Sequence, residues 1–253
     1  MAMRCRSIKQ LALLLICTAG TLSATARITV KVAAAANLRY ALSEIEEAYE
    51  AQYKDVDLQI NYGASGSFYQ QIVSGASYSL FLSADDLLPQ KLKEAGVASS
   101  EAHIYACGKL ALYGLRSDIN KLGLKILEQQ NIGLISIANP RTAPYGTRSV
   151  EILKLLDLWE KVERKIVYGD SIAQAAQFAM SGNCEVGFVA LSLLLNPEVT
   201  LKGSYFIIPE ELYAPIAQAG IVLKPGEATK FFDYMLSDEC DDIWNRYGYS
   251  SKK

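Results

Sequence analysis

An α/β fold of two lobes with largely parallel sheets is predicted by three features of the chain. Strand-like and helix-like segments alternate along it, the pattern that builds parallel sheets flanked by helices. The 227 residues from Arg27 onward exceed what one doubly wound sheet usually needs. Two long strand-like segments, 104–115 and 214–223, suit crossings between lobes and make a natural hinge. Lobe one is then 27–107 with 216–253, and lobe two is 108–215.

In order, a β-rich apolar run over 28–36 ends in four alanines. The helix over 38–53 is read from Leu38, Ala41, Leu42, Ile45, Tyr49 and Tyr53, which share one face at 3.6 spacing. Asn37 stands where its N-cap belongs. A strand over 56–62 runs through Gly63-Ala64-Ser65-Gly66-Ser67 into a helix over 67–75. A strand over 80–83 precedes Asp85-Asp86, which cap a helix over 87–95. After the first crossing, a strand over 133–138 leads through Pro144-Tyr145-Gly146 to a helix over 147–158, apolar at Val150, Leu153 and Leu156. A strand over 165–168 is followed by Asp170 or Ser171 as cap of a helix over 172–181 bearing Ile172, Ala175 and Ala176. Strands over 186–191, 204–208 and 216–223 and a last helix over 227–246 complete the pattern.

The first 26 residues read as an export signal. Arg4, Arg6 and Lys9 precede an apolar core over 11–16, and Ala24-Thr25-Ala26 forms the cleavage site. The apolar run is too short to anchor the chain in a bilayer. Ile16 before Cys17 is bulky where a lipoprotein cysteine wants a small neighbour. Cleavage moves the formal charge from −2 to −5, because those three cations and no acid are lost. A mildly acidic exported protein without a basic block is a poor binder of nucleic acid or a membrane surface, and no nucleic-acid partner is expected. Cys107, Cys184 and Cys240 survive cleavage, widely spaced and without C-x-x-C, and read as small buried residues.

Four helix entrances carry the functional signal, at Asn37, Ser65, Tyr145 and Ile172. The free N–H groups of a first helical turn bear partial positive charge and suit an anion without any formal cation. The small residues around Ser65 let backbone approach a ligand, and its hydroxyl adds a donor. GASGS also approaches the G-x-S-x-G elbow of a serine hydrolase, but its fifth position is Ser67 and the chain's single histidine is His103. There is no metal-spaced cluster, no phosphate loop and no dinucleotide fingerprint. The acid pairs Asp85-Asp86, Glu210-Glu211 and Asp241-Asp242 read as caps, loops or solvated helix surface. Arg39 and Arg148 stand near helix entrances as solvent-facing side chains that could assist an anion.

Taken together, these residues make the chain resemble the periplasmic molybdate-binding proteins of ABC importers over essentially its whole mature length. The resemblance is carried by VAAAANLRYAL (32–42), NYGASGSFYQQIVSGASYSLFLSADD (61–86), NPRTAPYG (139–146), GDSIAQAAQFAMSGNCEVGFVALS (169–192) and FFDYMLSDECDDIWNRYGY (231–249). It implies a two-lobed type II binding-protein fold that closes over one tetrahedral oxyanion, molybdate or tungstate. The implied contacts to the molybdate oxygens, rather than to the metal itself, are Asn37 and Ser65 from lobe one and Tyr145 and Ile172 from lobe two, the last two through backbone N–H. A further contact, Tyr in some members, falls on Ala190, which has no hydroxyl to offer. Where some members begin with Ser, Asn37 would donate through its amide. The resemblance also implies a monomer without catalysis or cofactor that serves an ABC permease and its ATPase subunit from the periplasm.

Overall fold

The computed structural model describes residues 27–197 and 200–250, so the export segment expected over 1–26 lies outside the described residues. In chain order come β1 (Ile28–Ala35), a 3₁₀ turn (Ala36–Leu38), α1 (Arg39–Gln52), β2 (Val56–Gly63), α2 (Ser65–Val73), β3 (Leu80–Leu82), α3 (Leu87–Glu94) and β4 (His103–Gly108). Next are β5 (Leu110–Gly114), α4 (Ile119–Leu122), β6 (Ile135–Ala138), α5 (Pro144–Leu155), α6 (Trp159–Val162), β7 (Ile166–Gly169), α7 (Ile172–Met180), β8 (Val186–Ala190) and β9 (Ser204–Ile207). Last come β10 (Ile216–Val222), α8 (Glu227–Leu236) and α9 (Asp241–Arg246). Among the described residues no helix is long and apolar enough to cross a membrane.

Two five-stranded sheets share one plan, β2-β1-β3-β10-β4 in the first and β7-β6-β8-β5-β9 in the second. In each, the first two pairings are parallel and the last two antiparallel. The sheets are therefore mixed rather than largely parallel. Each takes in a strand next to the crossing, β10 or β5, that runs against the three βα-linked strands. Residues 104–115 form two strands in different sheets, parted at Lys109, so the crossing is a joint and not one rigid strand. The return passes through 208–215 with a 3₁₀ turn at Glu210–Leu212. The second expected crossing strand begins only at Ile216 and lies wholly in the first sheet, with Ile216 opposite Gly108. Pro215 before it has no N–H to give a ladder.

The apolar face of α1 buries Ala41, Leu42, Ile45 and Tyr49, as its spacing requires. The Tyr49 ring meets Phe231 and Tyr234 of α8 at centroid distances of 5.1 and 5.2 Å. The helix expected over 227–246 breaks at Ser237, whose extended backbone and hydroxyl bond to Tyr234 O end α8. Beyond α9, Ser250 bridges to Cys107 on β4, and this draws Tyr249 into the interior.

On α1, burial first and then the neighbouring carboxylates of Glu50, Glu47 and Asp57 push the Glu46 carboxyl from 4.5 up to about 7. The folded state therefore binds this proton more tightly than the unfolded chain, and stability falls as pH rises from about 4.5 through 7. Glu46→Gln is expected to stabilise the protein at pH 8 by about 1 kcal/mol, the figure being reduced for solvent screening at a half-buried site. Urea unfolding of both proteins at pH 5 and pH 8 checks this. Parallel pH profiles for the two would reject Glu46 as the source.

Candidate functional site

The helix entrances singled out in the sequence follow the carboxyl ends of parallel strands, where ligands bind in open α/β sheets. β1 leads to the 3₁₀ turn and α1, and β2 leads to α2. In the second sheet β6 leads to α5 and β7 to α7. The two sheets turn these ends toward each other. One cavity is lined by Asn37 and Ser65 from the first sheet and by Tyr145 and Ile172 from the second, among Ala35, Ala36, Gly63, Ala64, Ala84, Ala143 and Pro144. Ala190 is not among the lining residues. It ends β8 opposite Leu110, and the turn after it carries Ser192 across instead, whose hydroxyl donates to Asn37 O at 2.9 Å.

Asn37 is not an N-cap. It sits inside the 3₁₀ turn, α1 begins two residues later, and its side chain caps nothing. A tertiary partner outcompetes the local one: Nδ2 donates to Gln218 Oε1 and to Tyr249 Oη, each at 2.9 Å. Ser65 opens α2, two residues earlier than its apolar pattern suggests. Its Oγ accepts from Ala84 N at 2.9 Å, which leaves the hydroxyl proton to be given elsewhere. Pro144 occupies the first position of α5 and has no N–H, so Tyr145 provides that helix's first donor. Ile172 opens α7, capped by the Ser171 hydroxyl, which accepts from Gln174 N. First-turn N–H groups have no intrahelical acceptor and point out of the helix end.

No lining residue carries a formal charge. Burial pushes the hydroxyls of Tyr105, Tyr145 and Tyr249 above their ordinary range, so all three are neutral hydrogen-bonding groups. Beside the cavity, burial raises the Asp85 carboxyl even though it accepts from Leu88 N at 2.8 Å, the capping role expected of it. Glu210 pairs with Lys109 at 3.1 Å, and Asp241 and Asp242 lie in the first turn of α9. Arg148 is paired with Glu151 at 2.7 Å, whereas Arg39 lies 5.0 Å over the Tyr62 ring. Arg39 also lines an open groove of about 670 Å³ between α1 and α7, with Tyr40, Gln174 and Gln177. No hydrogen bond joins Ser65 to His103, whose ring packs near Phe232. Among the described residues no acid, histidine and cysteine group is arranged for a metal. Cys240 donates to Tyr234 O at 3.3 Å and Cys184 is buried, as expected of small core residues, whereas Cys107 on β4 is only half-buried.

Sequence reasoning missed Gln218, Tyr105, Tyr249 and Ser192, which join Asn37 in one buried polar network. Gln218 had a usable signal: it is the one polar residue in the apolar strand IAQAGIV. A polar side chain at a core position demands buried partners. With the lobes as they stand the cavity holds about 10 Å³, the room of one water at most. A larger ligand enters only if the lobes part. The cross-cleft bond from Gly66 N to Thr142 O, 2.8 Å, must then break.

The model of the bacterial extracellular solute-binding protein family matches residues 30–250. The molybdate-binding protein ModA of Azotobacter vinelandii is 38% identical over 239 residues, covering 91% of this chain and 94% of that protein. The molybdate-binding protein ModA of Rhodobacter capsulatus is 39% identical over 196 residues, covering 74% of this chain and 75% of that protein. The solved structure of the Azotobacter vinelandii periplasmic molybdate-binding protein superposes with a TM-score of 0.83 at 31% identity, covering 88% of this chain and 100% of that one.

A Cβ at Gly66 would stand 2.9 Å from Thr142 O and 3.0 Å from Thr142 Cα, against backbone that cannot swing aside. Gly66→Ala is expected to disfavour the closed arrangement by about 1–3 kcal/mol, the usual cost of overpacking. Small-angle scattering should then give a larger radius of gyration at unchanged helix content. Superimposable scattering curves would mean that closure does not depend on this contact.

Proposed function

This chain belongs to the bacterial extracellular solute-binding protein family, and from that premise we propose that it captures molybdate or tungstate between its lobes for an ABC importer. The observation that carries the reading is the charge-free convergence of donors from both sheets on one cavity. Similarity to molybdate-binding proteins along most of the chain supports the choice of anion. In this reading Asn37 donates through its amide, Ser65 through its hydroxyl, and Tyr145 and Ile172 through backbone N–H, all to the oxygens of the dianion. Ala190 takes no part. Lobe one is 27–107 with 216–253, lobe two is 108–215, and the joint at Lys109 and the 208–215 return serve as the hinge. The chain works as an exported monomer in the periplasm, without catalysis or cofactor, and its closed form docks on a permease served by an ATPase.

The energetics are adequate. About six to eight charge-assisted hydrogen bonds, each worth roughly 1.5–3 kcal/mol, must offset dianion desolvation and the entropy of closing. A Kd between about 1 nM and 1 µM, or roughly −12 to −8 kcal/mol, is what remains. Neutral donors also avoid stranding a buried cation when the site is empty. Sulfate has the same charge and the same acceptors, so cavity size has to discriminate against it.

Calorimetry with molybdate, tungstate and sulfate tests the reading. The two larger anions should bind at least about a hundredfold more tightly than sulfate, a difference of roughly 2.7 kcal/mol. Failure of both to bind ends it. Ser65→Ala removes one hydroxyl donor and should weaken molybdate binding by about 1–3 kcal/mol. Unchanged affinity would take Ser65 out of the site.

A further inference from the structure

We infer that Gln218 sets the direction of the Asn37 amide, so that the two amides form a reversible relay linking the anion-facing donor to the Tyr145 hydroxyl of the other lobe. The inference rests on the oxyanion reading of the cavity. Asn37 is 1% exposed. Its Nδ2 is fully engaged by Gln218 and Tyr249, yet its buried Oδ1 has no hydrogen-bond partner. Asn37 lines the cavity while Nδ2 is turned to Gln218 and Tyr249, so the unpartnered carbonyl end is the one that faces the cavity. A carbonyl lone pair aimed at a dianion repels it. For the anion to bind, this amide must be turned over.

Gln218 makes that turn feasible. It is 0% exposed in the middle of β10. Its Oε1 accepts from Asn37 Nδ2 and lies 3.0 Å from Tyr105 Oη, while its Nε2 donates to Tyr145 Oη at 3.0 Å. Turning one amide alone would set nitrogen against nitrogen or oxygen against oxygen, so the two must turn together. Rotating both by 180° moves no other heavy atom, and each of these contacts can be remade once the Tyr249 proton is redirected. Tyr145 then donates to Gln218 Oε1, and Gln218 Nε2 donates to Asn37 Oδ1 and to Tyr105 Oη. Tyr105 keeps its own proton on Ser83 O at 2.7 Å. Tyr249, which here donates to Asn37 O at 2.9 Å, turns its proton to Asn37 Oδ1, and Asn37 O keeps the Ser192 hydroxyl.

The reversed state uses each hydroxyl proton once and points Asn37 Nδ2 into the cavity as a donor. In the present state, Tyr145's own proton has no acceptor among the described residues. Tyr145 rides on α5 beside the second sheet, whereas Gln218 and Asn37 belong to the first. Closure alone leaves Tyr145 accepting from Gln218, as here; with the anion bound, its proton passes to Gln218 Oε1 and holds the relay in the binding orientation. Gln218 is a positioning residue: it acts on the anion through Asn37.

The test begins with wild-type protein and sodium molybdate. Calorimetry comes first, since absence of binding ends the oxyanion reading itself. NMR of protein with ¹⁵N-labelled Gln and Asn side chains then follows the Gln218 amide protons. Without molybdate their strong cross-relaxation should be to the Tyr145 ring. At saturation it should move to the Tyr105 ring, as the Asn37 amide resonances shift. Gln218 protons that stay beside Tyr145 with molybdate bound overturn the relay and leave the oxyanion reading standing. Gln218→Met preserves size but removes both hydrogen-bonding ends, and should lose roughly 10-fold to 100-fold in molybdate affinity. Gln218→Glu, whose carboxylate only accepts, fixes Asn37 Nδ2 inward and should lose more than the Met variant. A folded Gln218→Met protein with wild-type affinity also overturns the relay. If that variant does not fold, the NMR measurement on the wild type decides.

Discussion

Backbone of the two lobes meets where Gly66 N–H donates to Thr142 O, and this close approach imposes the small residues that surround it. The run Ala33–Ala36 is almost wholly buried, and Gly63, Ala64, Ala84 and Ala143 line the same place. A backbone N–H is a donor of fixed direction that reaches only its nearest neighbours. Donors from four chain segments can share one small volume only if no side chain stands between them. The alanine-rich strand end is thus a requirement of distance, not of hydrophobicity. The shared sheet plan follows the same constraint: parallel βα units turn all their helix N-termini to one edge, and two such edges are set face to face.

The interior behind the cavity departs from an ordinary apolar core for a related reason. Asn37, Gln218, Tyr105, Tyr145, Tyr249 and Ser192 are all buried and joined by hydrogen bonds that run between the sheets. A buried polar group left unpaired costs about 1–3 kcal/mol, so such a network favours one relative placement of the lobes over all others. Gly108, the last residue of β4 before the joint, shows how tight that placement is. A Cβ there would fall 2.0 Å from Tyr145 Oη and 2.3 Å from Gln218 Nε2. The joint at Lys109, the cavity and the polar network therefore lie close together, meeting at Gly108 and Tyr145.

The parts legible in the sequence were those governed by local rules. Eight of the nine expected strands exist near their expected bounds, because apolar runs and the turns between them report burial directly, and the ninth, 104–115, is split in two. The 3.6-residue face of α1 was legible for the same reason, and so were the Asp85 and Ser171 caps. Asn37 was misread because capping is a local inference, and a tertiary network had claimed its side chain. The break at Lys109 and the confinement of β10 to one sheet were invisible because they depend on which sheet a strand joins. Tyr249 was unreadable on principle: its place follows from the bridge between Ser250 and Cys107, a pairing across more than a hundred residues.

For the proposed cargo, the division of donors between lobes bears on release as much as on capture. The chain is acidic overall, so its net charge does not attract an anion, and Arg39 above Tyr62 lines a separate groove rather than the cavity. Nothing in the cavity would retain the dianion by charge once the lobes part. Asn37 and Ser65 stay with one side, and Tyr145 and Ile172 leave with the other. Each half keeps about half of the hydrogen bonds and regains solvent in place of the rest, so binding free energy falls steeply with opening. A site with a buried arginine would keep its Coulombic hold through the same motion. A carrier that must bind tightly in solution and empty itself on a membrane partner is served by donors that count only when both halves supply them.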